Sequence, residues 1–178
     1  MVQENALVPV GDVSIQDVAS LSIDDSKIIY DTYDPVAKNF DVWMFDIPRS
    51  LRSRMTFDPA DDSNPVISPD GKRFVYTSWK EGVNLYMKTT AGNEKPVLFQ
   101  NSITSALPTD WSSDGRYILF QDVELTADWD IWYRSLDGNS QKTSLIKTEF
   151  TEENAVFSPD GNWIAYNSDE SSRNEIYV

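Results

Sequence analysis

Four times in this chain a hydrophobic stretch runs into a turn of the form Ser-x-Asp-Gly or a near variant. The copies are Ser22-Ile23-Asp24-Asp25, Ser68-Pro69-Asp70-Gly71, Ser112-Ser113-Asp114-Gly115 and Ser158-Pro159-Asp160-Gly161. Their serines stand 46, 44 and 46 residues apart. A fixed period of that length marks a repeat architecture, in which each unit buries its apolar face only against its neighbours. Such repeats build a scaffold for binding, and the scaffold alone does not name its ligand.

The turn has a physical logic. Pro69 and Pro159 preset φ for the first central position, Asp70, Asp114 and Asp160 suit the second, and Gly71, Gly115 and Gly161 take the left-handed conformation that closes a hairpin. Asp25 replaces that glycine in the first copy. Aspartate tolerates positive φ less well than glycine, so the first hairpin is expected to be the least ideal. Ser68, together with these turn residues, is assigned a structural role.

Alternating apolar residues follow each turn: Lys27-Ile28-Ile29-Tyr30, Arg73-Phe74-Val75-Tyr76, Arg116-Tyr117-Ile118-Leu119-Phe120 and Trp163-Ile164-Ala165-Tyr166. A second signature comes later in each unit, an acid or amide, an aliphatic residue and a large aromatic. It reads Asp41-Val42-Trp43, Asn84-Leu85-Tyr86, Asp130-Ile131-Trp132 and Glu175-Ile176-Tyr177. A fourth stretch completes three units: Arg54-Met55-Thr56-Phe57, Pro96-Val97-Leu98-Phe99 and Thr143-Ser144-Leu145-Ile146. Four short strands per period is the pattern of one propeller blade.

The sequence therefore predicts an all-β protein, a β-propeller of four-stranded antiparallel blades. The expected blades cover 17–57, 63–100, 108–148 and an incomplete 154–178, with 1–16 as an outer strand or linker. A β-sandwich also has many short strands, but it does not need one turn at one position every period. Trp43, Tyr86, Trp132 and Tyr177 are expected between blades, since buried aromatics dominate cores. The fourth repeat stops at Val178, inside its third strand. That favours an arc of a larger ring over a four-blade ring closed by residues 6–10.

Composition excludes several chemistries. The 178 residues include no cysteine and no histidine. Disulfides and thiolate zinc sites are absent, and so are Ser-His-Asp and Cys-His catalysis within this chain. We expect no cofactor and no bound metal. The formal net charge is −14, which argues against nucleic acid and anionic membrane surfaces as partners. No apolar run approaches the length of a membrane span, and residues 1–5 do not resemble a signal peptide.

With these motifs in register, the chain resembles the TolB-like propeller repeat, a cousin of the WD repeat, over about residues 17–178. The first repeat departs from the pattern at Ile23 and Asp25. Thr56-Phe57-Asp58-Pro59-Ala60-Asp61-Asp62-Ser63-Asn64-Pro65 and Pro108-Thr109-Asp110-Trp111 further resemble the C-terminal propellers of bacterial receptor-like serine/threonine kinases. The resemblance implies a six-bladed parent ring, a sensor or interaction module, and an extracytoplasmic or periplasmic location. No kinase Gly-rich loop or His-Arg-Asp loop is present.

Propeller loops sort onto two faces. The Ser-x-Asp-Gly turns take one. The other is expected to carry loops 33–40, 58–63, 78–82, 101–108, 123–128, 149–153 and 168–173. These hold 12 acids and 3 bases, and the remaining chain holds 17 acids and 12 bases. The expected function is a non-catalytic module that binds a basic protein or peptide through this acidic face. Candidate partner-binding residues are Trp79, Trp129, Asp61, Asp62, Glu81, Asp128, Glu152, Glu153, Asp169 and Glu170. The plainer reading is that charged loops keep a β-rich protein soluble. Asp58, Asp61 and Asp62 lack the spacing and glycine of a calcium loop. The alternative function is the propeller of a larger prolyl-oligopeptidase-like serine peptidase, which a Gly-x-Ser-x-Gly motif in the parent would select.

Overall fold

The computed structural model describes residues 16–92, 94–124, 128–138 and 141–178. Its strands fall into four units in step with the repeat. The first holds β1 (Gln16–Leu21), β2 (Lys27–Asp34), β3 (Asn39–Asp46) and β4 (Leu51–Arg54). The second holds β5 (Asp62–Ile67), β6 (Arg73–Ser78), β7 (Asn84–Thr89) and β8 (Val97–Gln100). The third holds β9 (Ser105–Trp111), β10 (Tyr117–Val123), β11 (Trp129–Ser135) and β12 (Thr143–Ile146). The fourth holds β13 (Glu152–Phe157), β14 (Ile164–Ser168) and β15 (Glu175–Tyr177). Each unit is an antiparallel sheet in sequence order, and the units are propeller blades. The expected outer strand at residues 6–10 lies outside the described residues.

Every Ser-x-Asp turn is built the same way. The serine hydroxyl donates to the aspartate Oδ1 at 2.7, 2.6, 2.6 and 2.5 Å in the four copies. The same serine oxygen accepts the backbone N–H of Lys27, Arg73 and Tyr117, the first residues of the returning strands, and of Trp163, which immediately precedes β14. The turn glycines sit at φ 64, 76 and 71°, and Asp25 takes their place at 56°. The first hairpin therefore keeps the whole bonding pattern, contrary to the expectation of a poorer turn. Its local side-chain bonds offset the cost of positive φ. The hydroxyl of Ser22 is the main reason that the carboxyl of Asp24 is held down at about 2. Consecutive turns lie against one another: a Cβ at Gly115 would sit 3.8 Å from Pro69 Cγ, and Ser113 Oγ donates to the carbonyl of Pro159 at 3.3 Å.

The core lies between blades. Ile29, Val42, Met44 and Met55 of the first blade meet Ile67, Phe74 and Tyr76 of the second. Val66, Val75, Leu85 and Phe99 meet Ala106, Trp111, Ile118, Phe120 and Trp132 of the third. Leu119 and Ile131 meet Ala155 of the fourth. Within the second signature the aliphatic residue is the fully buried member. Val42, Leu85 and Ile131 have no solvent exposure, whereas Ile176, at the matching place in the fourth blade, is 75 % exposed. Of the signature aromatics, Trp132 is buried and Trp43, Tyr86 and Tyr177 are partly buried.

Polar straps fix the angle between blades. Asp31 on β2 accepts the N–H of Val18 at 3.0 Å and that of Asn64, in the bulge of β5, at 2.8 Å. Gln121, at the same place on β10, accepts the N–H of Asn154 in the bulge of β13 at 2.9 Å. Thr77 on β6 instead donates to the carbonyl of Ala106 at 3.0 Å. Asn64 and Asn154 both have positive φ, a conformation asparagine tolerates. The bonds to Asn64, Ala106 and Asn154 cross between blades and pair backbone groups at the junctions.

One strand differs from the sequence expectation. The outer strand of the first blade is 51–54, not 54–57, and pairs Trp43 with Arg54. Met55 and Thr56 instead turn inward, both donating their N–H groups to the carbonyl of Val42. Burial of Met55 outweighs continuation of an edge strand.

Candidate functional site

Strand order places loops β2–β3, β4–β5, β6–β7, β8–β9, β10–β11, β12–β13 and β14–β15 at the blade end opposite the Ser-x-Asp turns. The nominated residues distribute unevenly there. Trp79 directly follows β6 and is 53 % exposed, with its N–H donating to the carbonyl of Asp61. Glu81 and Glu170 are exposed. Asp169 is exposed but accepts the N–H of Thr151 at 3.0 Å. Asp61 is partly buried and accepts the N–H of Phe40 at 2.8 Å. Asp128, Trp129 and Glu153 are partly buried, and Trp129 opens β11 opposite Val123.

Asp62 and Glu152 correct the loop assignment. Both are 1 % exposed and are the first residues of β5 and β13. Sequence reading placed them in loops because the strands begin on an acid. The carboxyl of Asp62 is pushed up to about 6, chiefly by loss of solvent, with the charges of Asp58 and Asp41 adding to the effect and the hydroxyls of Ser78 and Thr56 opposing it. Burial also raises Glu152, against a hydrogen bond from the Thr148 hydroxyl, and the charge of Asp130 adds to the rise. Asp41 and Asp130, the acids of the second signature, are raised by burial too. The first–second and third–fourth junctions thus each bring together a pair of acids raised by burial, Asp41 with Asp62 and Asp130 with Glu152. The second–third junction has Asn84 and Ala106 at those places.

Bases at the ends of the outer strands, Arg54 closing β4 and Lys142 and Lys147 flanking β12, pair with acids of the inner strands and loops. Arg54 pairs with Asp41 at 2.6 Å. Lys142 bridges Asp122 at 2.7 Å and Glu124 at 2.9 Å, and Lys147 meets Glu124 at 2.6 Å. The loop count of acids and bases leaves these cations out. Sequence reading missed them because Lys142 is 20 residues from Asp122, a pairing set by blade width and not by local pattern.

A cleft of 620 Å³ opens beside β5, β6 and β7. Its walls include Phe57, Tyr76, Tyr86 and Pro96, and its polar lining includes Asp58, Asp62, Lys80 and Lys88. Lys80 pairs with Asp58 at 2.8 Å. Lys88 is buried and donates to the carbonyl of Met55 at 2.6 Å, and burial lowers its affinity for a proton. Phe57 is 66 % exposed, with Arg54 5.2 Å and Lys88 5.7 Å from its ring centre. Oδ1 of Asp62 meets no hydrogen-bond donor. A cleft of rings and carboxylate suits a cation or a hydrogen-bond donor. Asp58, Asp61 and Asp62 point to different partners, and among the described residues no three acids gather to hold a metal.

No family model and no curated protein matches the chain. Solved structures do. A TolB protein from Agrobacterium tumefaciens superposes with a TM-score of 0.78 at 19 % identity, over 92 % of this chain and 57 % of the other. TolB from Acinetobacter baumannii gives 0.74 at 21 % identity, over 89 % and 39 %. A prolyl endopeptidase gives 0.66 at 14 % identity, over 91 % and 26 %. The chain spans less than two thirds of each of these structures. The likeness establishes the fold, that of TolB-like β-propeller repeats. No helix among the described residues is long and apolar enough to cross a membrane.

Proposed function

We propose that this chain is a non-catalytic β-propeller module that binds a basic protein or peptide through the loop end of its blades, outside the cytoplasm. The observation that carries the reading is the exposed Trp79 beside exposed Glu81 on that end. Exposed tryptophan is an interface residue type, and neighbouring carboxylates steer a cationic partner toward it. Two facts support the reading: the fold shared with TolB structures, and a chain without histidine or cysteine. Location outside the cytoplasm rests on resemblance to TolB-like and receptor-kinase propellers.

The test is a peptide array of graded charge probed with the 178-residue chain. Basic peptides should be retained over acidic ones, and retention should fall as salt rises. Retention should also fall for Trp79→Ala and for Glu81→Lys. Charge-independent retention, or variants that bind like the parent, would sink the reading. A second reading has one observation in its favour, the likeness to a prolyl endopeptidase. It makes the chain part of the gating propeller of a larger serine peptidase. A parent sequence containing Gly-x-Ser-x-Gly beyond the repeats would select it.

A further inference from the structure

The repeat lets corresponding positions be compared between blades, and one position differs in a way that points to a ligand. In the first blade Arg52 lies on the outer strand, diagonal to Trp43, and its guanidinium sits 4.1 Å from the centre of that ring. In the third blade Lys142 is diagonal to Trp132 and sits 4.2 Å from its ring centre. The chain thus twice covers the aromatic of the second signature with a cation from the same place. In the second blade the aromatic is Tyr86, its cross-strand partner is Leu98, and the diagonal place falls to Pro96. Proline carries no charge. Among the described residues, none of the cations found over a ring lies over Tyr86.

Tyr86 and Pro96 both line the 620 Å³ cleft, and so does Asp62. Asp62 is 1 % exposed, and its Oδ1 has no donor. A buried carboxylate oxygen without a donor is costly, and an incoming charged donor removes that cost. Phe57 adds an exposed ring that already has Arg54 and Lys88 within 6 Å of its centre. Ring faces, an unpartnered carboxylate oxygen and a Tyr86 ring with no cation over it therefore coincide in one place, beside Lys80, Lys88 and Lys95 of the same lining.

We propose that this cleft receives an arginine side chain of a partner protein, which takes over Tyr86 the place that Arg52 and Lys142 hold in the neighbouring blades. Asp62 accepts its hydrogen bonds, and Tyr86 and Phe57 bracket its plane. Arginine fits better than lysine because its planar, weakly hydrated guanidinium stacks on rings and gives up water more readily. The inference rests on the binding-module reading above and gives it an address.

The probe is an acetylated tetra-arginine amide, followed by two-dimensional amide NMR of the full chain at pH 7 and low salt. The control is the tetra-citrulline peptide, which keeps shape and loses charge. The arginine peptide should shift amides around Asp62, Tyr86 and Pro96, and the citrulline peptide should not. Asp62→Asn should weaken binding about tenfold, and Tyr86→Leu about threefold. Pro96→Arg supplies the chain's own cation and should close the site while the protein melts cooperatively. Pro96 is exposed and precedes β8, so this variant decides the matter even if Asp62→Asn fails to fold. Shifts confined to Asp169, Glu170 and their neighbours, with Asp62→Asn and Pro96→Arg binding like the parent, would overturn the cleft and leave the acidic-surface reading standing. No shifts at all would overturn both.

Discussion

Replacing Asp62 by asparagine should stabilise the protein at neutral pH and leave its stability unchanged in acid. The carboxyl titrates near its ordinary 3.8 in the unfolded chain and at about 6 in the folded one. Below pH 3.8 both states carry the proton, so the group contributes nothing to pH dependence. Between 3.8 and 6 the unfolded chain ionises while the folded chain holds its proton, and stability falls as pH rises. Above pH 6 the loss is complete. At about 1.36 kcal/mol per pH unit, the difference amounts to about 3 kcal/mol. Asparagine keeps the shape, never ionises, and so escapes the loss. For a chain of this size about 3 kcal/mol corresponds to a Tm shift of about 6 to 12 °C. The assay is urea unfolding of parent and Asp62→Asn at pH 4, 5, 6, 7 and 8. The two curves should lie close together at pH 4, separate up to about pH 6 and keep a constant gap above it. A variant that is less stable than the parent at pH 7, or a gap that does not change with pH, would refute the reasoning. The same substitution should weaken arginine-peptide binding, the opposition of stability and function expected of a binding residue.

Three further substitutions test the fold and the interface. Gly161→Val places a β-branched residue at φ 71° where nothing lies within 4 Å of the new Cβ, so strain acts alone; urea melts should show a loss of about 1 to 3 kcal/mol, and a parent-like melt would refute the turn geometry. Gln121→Ala leaves the N–H of Asn154 without its acceptor at a blade junction. It should cost about 1 to 3 kcal/mol and speed exchange of that amide, which unchanged hydrogen exchange would contradict. Trp79→Ala, at a half-exposed side chain, should change stability by about 0.5 kcal/mol or less and still reduce retention on the basic peptide array. A large fall in Tm would make Trp79 a core residue instead.

The blades were legible because their information is local. A serine, an aspartate two residues on and a residue able to adopt positive φ specify the hairpin by bonds among themselves, and the spacing of the copies gives the unit. Even Asp25 fits, since its backbone goes where glycine's does. The outer strand was harder to place. Arg54-Met55-Thr56-Phe57 alternates as a strand should, but Met55 has an apolar junction to fill, and the chain leaves the sheet edge to fill it. Alternation records which side chains prefer burial, and either an edge strand or an inter-blade contact satisfies it.

The charged end of the blades was legible in composition and not in geometry. Asp62 and Glu152 read as loop acids because carboxylates are rarely interior. Their neighbours show why the fold admits them. Thr56 and Ser78 hydroxyls support Asp62, the Thr148 hydroxyl supports Glu152, and Arg54 and Lys147 lie near the companion acids Asp41 and Asp130. The turns are held constant by backbone geometry, so they cannot tell one blade's task from another's. Positions outside the turns are free to differ, and there Arg52, Pro96 and Lys142 diverge. Where the first and third blades supply a cation to their own aromatic ring, the second has none over its Tyr86, in a cleft where Oδ1 of Asp62 lacks a donor. A scaffold needing only stability would gain from a cation there as well, and the proposed arginine site is the account that gives proline in its place a purpose.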